Sequence, residues 1–168
     1  QSIVTVISSA FAKKNHKLVS SQTSKAIMIS VLTGIHMVVS IRAAARLLNA
    51  FLFGSTEGTA IIILLVIASM FQITMQTSGA ILMGIGKMRV LILHVIIGIL
   101  IKIIGNYSLS FWFGIYGIII TTMISFIVMT LLNLSVLRKH VSFQVLGHRW
   151  KGLFLTVVIT VLIGGGLE

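Results

Sequence analysis

The chain has 168 residues, 57% of them hydrophobic and 9% charged, with thirteen Lys and Arg against two acids, Glu57 and Glu168, and no Asp or Cys. Its mean hydropathy of +1.14 lies well beyond the balance of a soluble domain. A soluble nucleic-acid binder would display such a positive excess on a face or stripe, whereas here the cations sit in short clusters between long apolar runs, so no nucleic-acid partner is expected. Without Cys there is neither a disulfide scaffold nor thiolate chemistry.

In chain order, residues 1–12 form a short apolar segment of a partial span. Four complete spans follow at about 26–53, 59–83, 90–111 and 115–137, each long enough for a helix to cross about 30 Å of hydrocarbon. A second partial span covers 152–166, and only the chain before Gly164 is read for function. Barrel strands would alternate polar and apolar residues, and "IIILLVIASMF" does not alternate. The expected fold is therefore an all-α membrane protein, a multi-span helix bundle. Both partial spans stop within the bilayer, where broken helices leave backbone groups facing lipid. The chain is thus expected to be part of a larger transmembrane protein.

Lys13, Lys14, Lys17 and Lys25 precede the first full span. Lys87 and Arg89 separate the second from the third, and Arg138, Lys139, Arg149 and Lys151 follow the fourth. These ten fall on alternate connections, which predicts a cytoplasmic location for that side. The opposite connections, "GSTEG" and the turn near Gly114, carry no Lys or Arg. Phe51, Phe53, Tyr107, Phe111, Trp112, Phe113 and Tyr116 match an outer aromatic belt, and Trp150 an inner one.

The stretch "GIGKMR" at 84–89 is not a phosphate loop. Ile81 stands where the first glycine of a P-loop belongs, Met88 replaces its hydroxyl, and Arg89 replaces the third glycine of the dinucleotide pattern. It reads as a tight turn between two spans. No cofactor motif appears, and the five histidines, His16, His36, His94, His140 and His148, are too scattered for a metal site. Nothing points to an enzyme, since acid/base catalysis needs a positioned His, Asp or Glu.

Three cations lie inside spans, where a central charge costs about 2.5 to 3.5 kcal/mol and needs a partner or water. Arg42 and Arg46 are four apart on one helix face, about 24 and 30 Å from Ala26, so snorkelling to headgroups and an anion site both remain open. Lys102 is deeper. His94, Gly98, Lys102 and Asn106 follow at four-residue steps, a polar stripe on an Ile- and Leu-rich helix with no carboxylate to neutralise it. An anionic ligand and a structural role in bonding neighbouring spans are the two readings. In the second span Ser69, Gln72, Gln76 and Gly79 share a face, either as interhelical glue or as the lining of a cavity. Thr121, Thr122 and Ser125 are expected to bond their own helix backbone.

Taken together, "AFAKKNHKLVSSQTSKAI", "LLNAFLFGSTEGTA", "QTSGAILMGIGKMRV", "IIGILIKIIGNYSLS" and "GIYGIIITTMISFIVMTLLNLSVLRKH" resemble the C-terminal half of polysaccharide biosynthesis proteins of the stage V sporulation protein B type. These belong to the multidrug/oligosaccharidyl-lipid/polysaccharide exporter superfamily. The resemblance implies a second six-helix bundle whose first bundle is absent, in a transporter that flips polyprenyl-pyrophosphate-linked oligosaccharide across the bacterial inner membrane by alternating access. It implies an anionic lipid-linked sugar as substrate, membrane lipids and the missing N-terminal bundle as partners, and substrate contacts drawn from Arg42, Arg46, Lys102, Gln72, Gln76 and Asn106. The rivals are a multidrug/cation antiporter of the same superfamily and a non-transporting membrane scaffold or degenerate fragment.

Overall fold

The computed structural model of the chain describes residues 3–53 and 58–141, with the side chains of residues 42, 43, 46–48, 52 and 53 outside the description. The described residues form five helices and no strand: α1 (Ile3–Ala12), α2 (His16–Phe53), α3 (Thr59–Gly84), α4 (Met88–Phe113) and α5 (Ile115–His140). Four of them are long and apolar enough to cross a membrane, so the all-α membrane bundle is found. The partial span expected at 152–166 lies outside the described residues.

The chain contains no Pro, so no span loses an internal backbone bond. The helices end at residues suited to turning. Gly114 alone separates α4 from α5, with φ 53° and ψ −131°, and Gly86 turns α3 into α4 with φ 77°; both need the freedom of a residue without Cβ. At the start of α2, Asn15 accepts the Leu18 N–H at 3.1 Å through its side-chain oxygen, a normal N-cap. This cap starts α2 at His16, ten residues before the first full span was expected, and brings Lys17 and Lys25 onto the helix. At 38 residues, α2 extends about 57 Å, well beyond the hydrocarbon thickness.

Helix α3 is the centre of the bundle. It packs on α1, on α2 and on α5, while α4 packs mainly on α5 and far less closely on α3. Among the described residues α2 makes no contact with α4 or α5. One end carries the turns at 13–15 and 85–87 and the Arg138-Lys139-His140 end of α5, and is called the basic end below; the other carries Gly114 and the aromatics. Near the basic end Ile7, Ala10, Val19, Ala26, Ile27, Ile81, Leu82, Ile85, Leu137 and Val141 form the buried apolar core. Elsewhere the pattern inverts. On α4, residues Ile92, Leu93, Val95, Ile96, Ile97, Ile99, Leu100, Ile103 and Ile104 are exposed, while His94 and Gly98 are buried. An edge helix that turns aliphatic side chains outward and small or polar ones inward suits a hydrocarbon solvent, where close packing of small residues replaces hydrophobic burial.

Close approach depends on small residues, as at Gly34, Gly98 and Gly117. A Cβ on Gly34 would lie 2.6 Å from Met70 Cγ. One on Gly98 would meet Met129, and one on Gly117 would meet the Leu109 carbonyl. The first two neighbours are flexible side chains, but the third is backbone and cannot swing aside. Gly117→Ala is therefore expected to force α4 and α5 apart at their shared turn and to cost about 1 to 3 kcal/mol, as overpacking does. A lowered midpoint of thermal unfolding in detergent would register this clash, since Gly117 has no positive φ to add backbone strain of its own.

Candidate functional site

The polar stripe of α4 is the face it turns to α5. Buried His94 places Nδ1 2.7 Å from Asn133 Oδ1. Asn133 Nδ2 donates to the Met75 carbonyl at 3.3 Å and to Ser78 Oγ at 3.2 Å on α3, and Ser78 in turn donates to the Met75 carbonyl at 2.9 Å. With its amide nitrogen committed to two acceptors, Asn133 presents only an acceptor to the imidazole, so His94 carries a proton on Nδ1. One Asn thereby joins α3, α4 and α5. A turn further along, Ser125 Oγ donates across to the Gly98 carbonyl at 2.8 Å, and Thr130 Oγ1 approaches the Phe71 carbonyl of α3 at 3.3 Å while bonding its own Phe126 carbonyl at 2.7 Å.

Lys102 continues this stripe at mid-span, 14 residues beyond Met88 and 11 before Phe113. Its Nζ lies 4.5 Å from the centroid of the Phe126 ring of α5. No ion pair is found among the described residues, none of which is an acid. Tyr107, the nearest belt aromatic, is about 7.5 Å further along the helix, but the ammonium is turned to the Phe126 ring instead of extended toward it. One turn on, Asn106 Oδ1 is buried without a hydrogen-bond partner. Cation, aromatic ring and orphaned acceptor thus share one face of the α4–α5 pair.

Gln72 is half-buried and Gln76 exposed, and neither makes a hydrogen bond with another described residue. Ser69 bonds its own Val66 carbonyl at 2.7 Å. The gluing between helices falls instead to Asn133, Thr130 and Ser125. For Ser125 this corrects the expectation that it would bond its own helix, because Gly98 lets the α4 backbone come within reach; Thr121 does bond its own Gly117 carbonyl, at 2.8 Å. Arg42 and Arg46 stand on α2, their side chains outside the described residues. That helix lies across α3 from α4, so the three intramembrane cations do not belong to one helix pair. A hollow of about 350 Å³ lined by His16, Lys17, Ser20 and Ser21 sits at the basic end, remote from Lys102. Among the described residues no cluster of His and acids could hold a metal.

No family model, curated protein or solved structure matches this chain.

Removing the amide hub should be felt at once. Asn133→Leu leaves the His94 N–H without its acceptor and is expected to lower stability by roughly 1 to 2 kcal/mol, near the upper end for intramembrane bonds. In the double variant with His94→Leu the loss should be less than the sum of the two single losses, because the pair shares one interaction. Unfolding in mixed detergent would measure both.

Proposed function

We propose that the protein acts in the flipping of anionic, polyprenyl-pyrophosphate-linked oligosaccharide across a bacterial inner membrane, its basic end on the cytoplasmic side. The observation that carries this reading is Lys102. A cation fixed at mid-depth against Phe126, with no acid among the described residues, suits a site whose counter-charge arrives and leaves with a substrate. The ring attracts the ammonium through its quadrupole but takes up no N–H donor in an ordinary bond, so the three donors remain available to phosphate oxygens. The partnerless amides of Gln72 and Gln76 and the orphaned acceptor of Asn106 supply complementary chemistry for sugar hydroxyls. The sequence resemblance given above supports the same class of substrate. In a transporter of that class this bundle would form one wall, and rocking against a second bundle would alternate access. A cation antiporter would be served better by intramembrane carboxylates, and the described helices carry none.

The decisive comparison is binding of polyprenyl-pyrophosphate-linked sugar to the protein in neutral-lipid nanodiscs. Lys102→Gln is expected to weaken binding by about tenfold or more, the equivalent of one charge-assisted hydrogen bond. Phe126→Leu, which keeps the charge but removes the ring, should weaken it less. Unchanged affinity in Lys102→Gln would remove this lysine from the site.

A further inference from the structure

The wheel of α3 shows where its amides point. Ser69, Gln72 and Gln76 fall within about 60° of one another at 100° per residue, a single line along the helix. Gly79, where a Cβ would touch Leu91 of α4 at 3.2 Å, lies about 60° to one side of Gln76. Met70, which packs against Gly34 of α2, lies about 120° to the other side. The amide line therefore occupies the sector of α3 between its α4 and α2 neighbours, and α2 and α4 do not meet there. Exposed Leu65 and Met83 mark its two ends.

Lys102 belongs to the same sector. It is eleven residues from Leu91, three helical turns and only about 20° off its line, and its Nζ lies over Phe126 of α5, so it stands where the α5 face of α4 borders the side that meets α3. Counting the same eleven residues back from Gly79 along antiparallel α3 sets Lys102 level with Ala68 and Ser69. The ring under Lys102 agrees, since Phe126 precedes by one turn the Thr130 that reaches the Phe71 carbonyl. Cation and amides thus sit within about a turn of each other in depth, on the flanks of α3 and α4 beside α5. The outer flank of α4 is uniformly aliphatic and exposed.

We propose that Ser69, Gln72 and Gln76 of α3, with Lys102 of α4, form a hydrated track open sideways to the bilayer, which holds the anionic, hydroxyl-rich headgroup of an amphiphile while its hydrocarbon tail lies in the lipid along α4. The proposal rests on the flipping reading for its substrate and adds to it a route: a lateral groove along the flank of these helices. Amide side chains exposed at this depth cost several kcal/mol in dry hydrocarbon, and water or sugar hydroxyls in the groove remove that cost.

Because the chain has no Cys, single cysteines report on the groove without background. Ser69→Cys, Gln72→Cys and Gln76→Cys, with Ile96→Cys and Leu100→Cys on the aliphatic flank of α4 as references, are each reconstituted in phosphatidylcholine vesicles and exposed to a charged maleimide. The three α3 positions are expected to react roughly tenfold or more faster than the two references, because the reacting thiolate forms only where water reaches. Polyprenyl-pyrophosphate-linked sugar should slow them, and helical circular dichroism confirms that each variant is folded. Reaction at the reference rate overturns the track, and fast reaction that no amphiphile slows overturns its role as a headgroup path. Slowing by phosphatidylglycerol, anionic and hydroxylated, but not by the polyprenyl-linked sugar supports the track and overturns only the substrate named for it.

Discussion

Hydrocarbon cannot hydrogen-bond, so a polar group inside this bundle is best answered by another part of the protein, and Asn133 is the side chain that does so for three helices at once. It stands where one side chain reaches both neighbours of α5, donates to two oxygens of α3 and accepts from His94 of α4. The rest of the local architecture follows from placing it there. Gly79 has no side chain, which leaves room beside it for Leu91 and the Asn133 amide. Ser78 and the Met75 carbonyl face α5, which turns the opposite side of α3, with Gln72 and Gln76, away from that contact. The orientation of α3 that satisfies one amide leaves two others open.

This division of labour separates two kinds of polar residue that look alike in a sequence. Those at the α4–α5 seam, His94, Ser125 and Asn133, are buried and bonded, and their neighbours are glycines that allow the backbones to close in. Those on the α3 flank have no small partner opposite and no bond to another helix. The first group fixes the geometry of the bundle, and the second is held in place by that geometry without contributing to it. Function is more readily placed on the second.

The spans were legible because length and hydropathy alone demand them, and the α4 stripe because its four-residue steps mark one helix face. What periodicity does not give is the neighbour that a face meets. Gln72 and Gln76 were correctly placed on a shared face, but whether that face was glue depended on how α3 is rotated against α5, which is set by Asn133 some sixty residues later. Asn133, in "LLNLSVL", belongs to no periodic stripe, although a single Asn inside a run of aliphatic residues is the usual mark of an interhelical bond. Intramembrane serines commonly bond their own helix, and for Ser125 only the bare backbone at Gly98 brings the other carbonyl within reach. The early start of α2 turned on Asn15, a cap placed among lysines whose charge suggested a connection.

The magnitudes at Lys102 decide how the site should be regarded. A charge at the centre of a span costs about 2.5 to 3.5 kcal/mol. An aromatic face returns about 0.5 to 2 kcal/mol, with the larger value reserved for desolvated pairs. Phe126 therefore offsets part of the cost and leaves a remainder that neither Asn106, whose acceptor is unpartnered, nor any acid among the described residues removes. A closed, dry seam would make that remainder a standing penalty, and a leucine would serve the packing better. A groove that admits water or an anionic headgroup turns it into binding energy, since the contacts missing from the protein are those a phosphate and its attached hydroxyls would provide.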